Sequence, residues 1–236
     1  MEGLSRAAPA GRREAVGCRA SRSGRLGGRL LNGRRIILWR HGRTAWNAAG
    51  RFQGQLDPPL DDLGCRQAAA GAALLATMKP TVVISSDSVR AATTAAALAT
   101  PVVLDARLRE IHLGAWQGLT GAEAKVRFPD EFDAWLAGAD VRRGNGETYA
   151  EVAVRGRAAL QDALGRVPDG GTLIAVTHGG TSRAMVGSYL GLPPEHWWRF
   201  GPAGNCRWSV LTETGRGWRL AEYNGGAPAS DRGDDR

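Results

Sequence analysis

At 236 residues, with 43% hydrophobic side chains and eight tryptophans, the chain can bury one proper core, which excludes a wholly disordered protein. No run of about eighteen apolar residues occurs, so no membrane-spanning helix is expected. Much of the net charge of +8 sits in residues 1–33, where seven arginines face only Glu2 and Glu14.

That Arg/Gly-rich extension has no hydrophobic periodicity, no apolar core of a secretory signal and no aromatic side chain to stack on bases. Disorder is expected over 1–33 and again over 225–236, around a single domain at 34–224, with no nucleic-acid partner. Cys18, Cys65 and Cys206 form neither a zinc pattern nor a disulfide framework, which suits a reducing cytoplasm. Cys65 and Cys206 are expected as small buried hydrophobes.

In chain order, RIILW at 35–39 reads as a buried strand ending just before His41. Asp61 or Asp62 can cap a helix that runs through 67–78 and stops at Pro80. A second buried strand, TVVIS at 81–85, leads through Ser86-Asp87-Ser88, a candidate cap, into a helix over 89–99 with Arg90 in its first turn. A short strand at 102–104 follows, then helices over 129–136 and 147–164 with a turn at Asn145-Gly146. TLIAV at 172–176 delivers His178-Gly179-Gly180 to a helix start, and two strands at 206–211 and 218–222 can pair to close the sheet. Alternating strands and helices predict an α/β fold, a three-layer α/β/α sandwich with a mainly parallel sheet. In such sheets ligands bind at the C-terminal strand ends, where His41 and His178 both fall.

Arg40 beside His41 joins a guanidinium that can fork two phosphoryl oxygens to an imidazole that can attack phosphorus, and the arginine charge helps keep that imidazole neutral. The longer string Arg40-His41-Gly42-x-Thr44-x-x-Asn47 resembles the signature of the histidine phosphatase superfamily, also called phosphoglycerate mutase-like. The resemblance extends from about residue 35 to 224. It implies the corresponding fold, a phosphohistidine formed on His41, and Arg40 as a phosphate-binding arginine. In Ser85-Ser86-Asp87-Ser88-Val89-Arg90-Ala91, Arg90 matches the second phosphate arginine. In Arg107-Leu108-Arg109-Glu110-Ile111-His112-Leu113-Gly114, Glu110 matches the general acid, and in Thr177-His178-Gly179-Gly180, His178 matches the second histidine. Asn47, Arg51, Gly54 and the amide of Gly179 match lesser phosphate contacts. His112 and His196 are expected to be structural, and Glu147 to complement a helix N-terminus or touch the substrate at the rim.

Mutases of this superfamily share the same core residues, so the segment over the site, about 116–146, has to separate them from phosphatases. Glu110 and His178 stand only 68 positions apart. A short cap leaves a phosphohistidine open to water, which favours hydrolysis over transfer. Gln53-Gly54-Gln55-Leu56-Asp57, the run from Arg107 to Thr120, and Gly204-Asn205-x-x-Trp208 resemble actinobacterial phosphatases of glucosyl-3-phosphoglycerate, although the match weakens in the cap. A sugar phosphate or phosphoglycerate-type small molecule is the expected substrate; a cofactor-dependent mutase and a broad-specificity or ribazole-phosphate phosphatase are the alternatives. No metal-ligand spacing and no nucleotide-binding loop occur, so no metal or cofactor is expected. An exposed Trp197-Trp198 pair and the terminal strand leave room for a homodimer.

Overall fold

The computed structural model describes residues 33–226. The Arg-rich extension therefore lies outside the described residues except for Gly33, and the C-terminal tail except for Gly225 and Gly226.

A six-stranded sheet in the order β3-β2-β4-β1-β5-β6 forms the middle layer. Its strands are β1 (Arg35–Arg40), β2 (Val82–Ser85), β3 (Val103–Leu104), β4 (Thr172–Thr177), β5 (Trp208–Thr214) and β6 (Gly217–Gly225). The first four pair in parallel, whereas β5 runs antiparallel to β1 and to β6. The closing hairpin expected from the sequence is present, but β5 starts two residues later than its apolar run, because Cys206 has a left-handed backbone (φ 54°).

Both sheet faces are covered, which explains why the central strands are continuous apolar runs rather than alternating ones. Ile36 and Leu38 of β1 face one cluster, together with α6 (Tyr149–Leu164) and α7 (Gly179–Tyr189). Ile37 and Trp39 face the other, against α2 (Asp62–Ala76) and α3 (Val89–Ala96). The expected three-layer sandwich is thus formed. α4 (Gly121–Arg127) and α5 (Pro129–Leu136) make the cap; Trp116 packs on Phe52, on Phe128 between the two helices, and on Phe132 and Trp135 of α5. A short turn of helix, α1 (Ala45–Ala48), follows the His41 loop and carries a capping box between Thr44 and Asn47.

Several local expectations change. Asp61, not Asp62, caps α2 by accepting from the Gly64 amide at 2.8 Å. Ser88 makes no side-chain cap for α3; Asp57 reaches across instead and accepts from the Val89 amide at 2.7 Å. Cys65 is exposed while Cys206 is buried, because the buried stripe of α2 runs through Gly64, Ala68, Gly71, Ala72 and Leu75 and passes Cys65 by. Trp197 is buried with its indole donating to the Leu192 carbonyl, so only Trp198 of that pair is exposed. Among the described residues no helix is long and apolar enough to cross a membrane.

Candidate active site

The site follows from strand register. β1 and β4 are parallel partners with Arg40 opposite Thr177, so the next residue of each strand, His41 and His178, must emerge side by side. Their ring centroids are 5.1 Å apart. β2 flanks β4 on the other side and ends with Ser85 opposite Val176, which sets Ser86 Oγ 2.9 Å from His178 Nε2.

The backbone at His41 is clamped from three directions. Its amide donates to the Thr177 carbonyl at 3.0 Å, and its carbonyl accepts from the Cys206 amide and Asn205 Nδ2, each at 3.1 Å. The Gly42 amide donates to Thr94 Oγ1 at 3.0 Å. Only glycine fits at 42, since a Cβ there would lie 2.4 Å from the Gly64 carbonyl oxygen of α2.

The ring is oriented as tightly as the backbone. His41 Nδ1 lies 2.7 Å from the Gly42 carbonyl, an acceptor only, so the proton belongs on Nδ1 and the lone pair on Nε2. Arg90 Nε–H donates to that Nε2 at 3.3 Å. Burial, then the charges of Arg90 and Arg40, hold the His41 imidazole well below its ordinary range and therefore neutral. His178 is depressed in the same direction by burial and by Arg90, His41 and Arg40.

This neutrality affects stability. In the unfolded chain each histidine takes up a proton near its ordinary value of 6.5, while the folded chain resists protonation. The unfolded state then binds more protons, so stability is fully present above that pH and falls as pH drops below it. The slope is up to about 1.4 kcal/mol per pH unit for each group. Urea midpoints should fall between about pH 7.5 and 5.0, and less steeply in His178→Asn; a flat profile in the unsubstituted protein would contradict burial of neutral histidines.

Arg90, the second residue of α3 and in its first turn, is fully buried, and all three of its guanidinium nitrogens are committed. Nη1 donates to the Leu56 carbonyl at 2.7 Å and to Asp57 at 3.2 Å, and Nη2 donates to the Gly54 carbonyl at 2.8 Å. Gly54 therefore serves the site through its carbonyl, as an anchor for Arg90. Arg40 donates to the Ala203 carbonyl and runs beside Gly179, where a Cβ would be 3.5 Å from Arg40 Nε.

Glu110 approaches from the loop after β3 and lies on the N-terminus of α7. Its Oε2 accepts from the Gly180 amide at 3.1 Å, and its Oε1 accepts from the amides of Ile111 and Thr181 at 2.9 and 3.0 Å and from Thr181 Oγ1 at 3.2 Å. The second glycine of His178-Gly179-Gly180 makes room for it, since a Cβ at Gly180 would sit 2.8 Å from Glu110 Oε1. The loop is fixed from behind by Arg155, which donates to the carbonyls of Arg107, Arg109 and Glu110. Glu147 pairs with Arg155 at 2.9 Å and accepts from the His112 amide at 2.8 Å. Glu147 thus braces the Glu110 loop, while Thr148 and Glu151 form the capping box of α6.

His41, Arg40, Arg90, Glu110, His178 and Gly179 are brought together, and Asn47 stands at the edge with its carbonyl oxygen taken by Thr44 and Asn205. Arg51 is not drawn in: it donates to the Gly118 carbonyl at 2.6 Å and pairs with Glu123 of the cap at 3.1 Å. His196 is exposed, and the backbone of His112 is tied to Glu147. Ser86, Asp57, Thr181, Asn205 and Arg155 complete the site without having been singled out in the sequence. Ser86, Asp57 and Asn205 lie in stretches that already resembled the phosphatases, whereas Arg155 carries no signal beyond its place on an amphipathic helix.

Two histidines and Arg40 at parallel strand ends, with Arg90 in the first turn of α3 and a carboxylate on a helix N-terminus, define a phosphoryl-transfer enzyme. Residues 36–225 match the histidine phosphatase superfamily (branch 1), and the chain belongs to that family. It is a phosphoric monoester hydrolase by class. It is 37% identical to a glucosyl-3-phosphoglycerate phosphatase of Mycolicibacterium vanbaalenii, over 84% of this chain and 97% of that one. A glucosyl-3-phosphoglycerate phosphatase of Mycobacterium tuberculosis is 36% identical over 85% and 98% of the two chains. A solved mycobacterial glucosyl-3-phosphoglycerate phosphatase complexed with VO3 superposes with a TM-score of 0.78, at 37% identity, covering 82% of this chain and 100% of that one.

Proposed function

We propose that the chain hydrolyses its phosphomonoester in two steps through a phosphohistidine on His41, without a metal. In the first step the lone pair on His41 Nε2 attacks phosphorus, the bond from phosphorus to the leaving oxygen breaks, and Glu110 gives that oxygen a proton. Arg40 and Arg90 neutralise the phosphoryl oxygens while charge builds on them, and His178 donates a hydrogen bond to one of them. Arg90 Nε–H, which donates to Nε2 before reaction, is placed to transfer its hydrogen bond to a phosphoryl oxygen as the nitrogen becomes phosphorylated. In the second step the Glu110 carboxylate takes a proton from water, the water oxygen attacks phosphorus, the P–N bond breaks and inorganic phosphate leaves.

The observation that carries this reading is the His41 ring itself: neutral, held by the Gly42 carbonyl through Nδ1, with Nε2 directed at Arg90. Ser86 engages Nε2 of His178, so His178 Nδ1, buried and without a partner, is the atom left to meet a phosphoryl oxygen. Likeness to the two mycobacterial-type phosphatases favours a phosphoglycerate-type substrate, with glucosyl-3-phosphoglycerate foremost. Free thiols at Cys65 and Cys206 suit a cytoplasmic setting.

Phosphate release measured across a panel of sugar phosphates and phosphoglycerates, in excess chelator, tests both claims. The phosphoglycerate esters should lead the panel and chelator should change nothing. Turnover abolished by chelator would refute metal independence, and a panel led by neutral sugar phosphates would refute the substrate class.

A further inference from the structure

Two arginines are buried among the described residues, Arg90 and Arg143. Arg90 has Asp57 and three further acceptors, but Arg143 has no ion pair and donates no hydrogen bond, although it is only 3% exposed and its Nε and Nη2 are sealed from solvent. An arginine cannot shed its charge, and a buried cation without an acceptor is costly. Glu131 reaches into the same loop, yet it accepts from the Gly144 amide at 2.6 Å and not from Arg143.

What does touch the Arg143 guanidinium is aromatic. It lies over the rings of Trp135 and Tyr149, at 5.6 and 4.9 Å. Arg183 lies over the same Tyr149 ring at 5.9 Å, again with no ion pair or hydrogen bond and with its Nε buried and unpartnered. Two cations sharing one ring repel each other, and an anion beside them would relieve both. Arg155, which also runs along the Glu110 loop, does have a carboxylate partner in Glu147.

The pair is next to the reaction centre. Arg183 is three residues beyond Gly180 on α7, and helical side chains lean back toward the N-terminus, which here is the end that holds Glu110. Tyr149 is two residues from Glu147, which exchanges hydrogen bonds of 2.8 Å with the backbone of His112 in both directions. The segment from Arg143 to Tyr149 thus runs alongside the loop that carries Glu110. On the mechanism proposed above, on which this inference rests, Glu110 marks the leaving-group side.

We infer that Arg143 and Arg183, set around Tyr149, form a subsite for a carboxylate carried by the leaving group. The enzyme then selects phosphomonoesters whose alcohol bears an acid near the ester oxygen. A guanidinium fork matches a carboxylate in bidentate geometry, and the surrounding aromatic faces exclude water and strengthen that match.

The test compares 3-phosphoglycerate with glycerol 3-phosphate, which lacks the carboxylate, by calorimetric binding to the His41→Asn protein and to the same protein with Arg183→Gln or Arg143→Gln added. The first protein should bind 3-phosphoglycerate at least about tenfold more tightly than glycerol 3-phosphate, and either added substitution should bring the ratio to within about threefold of unity. A ratio near unity from the start, or one that survives Arg183→Gln, overturns the subsite. Arg183 is only half-buried, so that arm stands even if Arg143→Gln fails to fold. If the unsubstituted protein hydrolyses no ester of the sugar phosphate and phosphoglycerate panel while the binding preference holds, the hydrolytic mechanism fails and the subsite remains.

Discussion

Replacing His41 by alanine should lower kcat/KM on every phosphomonoester by on the order of 10⁴-fold or more, because it removes the imidazole proposed to carry the phosphoryl group. Asn205 and the Cys206 amide hold the His41 backbone, and a change confined to the side chain leaves both bonds intact. The folded state should therefore persist, with stability changed far less than activity. A circular-dichroism melt beside the kinetics separates the two effects. Activity reduced less than about tenfold would mean that water attacks the ester directly, and the two histidines would then be electrostatic supports only.

Glu110→Gln is expected to cost on the order of 10²–10³-fold, but only where a proton must reach the leaving oxygen. An alkyl ester such as a phosphoglycerate needs that proton. A p-nitrophenyl ester does not, and its first step should be nearly unaffected. Its second step still needs a base to activate water, so the variant should release one equivalent of nitrophenol in a burst and then stall as phosphoenzyme. Glutamine keeps one carbonyl oxygen, which can accept from the Ile111 and Thr181 amides as Oε1 does, so the side chain stays anchored on α7 although its amide nitrogen cannot accept from Gly180. An equal loss on both substrates, without a burst, would assign Glu110 to positioning alone.

The arrangement of the sheet and the two histidines was legible in the sequence for a simple reason. RIILW and TLIAV are buried on both sides, so each is an uninterrupted apolar run, and each ends where the polar motif begins. Parallel pairing in register then places the two motifs together without further information. The supporting contacts were less legible, since they join residues far apart in the chain. Arg155 braces a loop 45 positions earlier through carbonyls that any sequence would supply. Asp57 caps α3 in place of its own serine because the Gly54–Asp57 loop must come close to anchor Arg90. Cys65 and Trp197 were misplaced for a different reason: their burial depends on helical phase, and one position along the helix turns a side chain from core to solvent. Arg143 lay in the stretch that resembled known phosphatases least and Arg183 in a helix of which only the first residues matched, and nothing in the string linked the two.

The central claim is that phosphate passes through His41. Mixing the protein with a ³²P-labelled phosphomonoester and quenching within milliseconds should trap label on the chain. That label should be stable in alkali, lost in acid, absent from His41→Ala, and retained longer in Glu110→Gln. A chain that turns over substrate yet never carries label, or label that persists when His41 is gone, would contradict it.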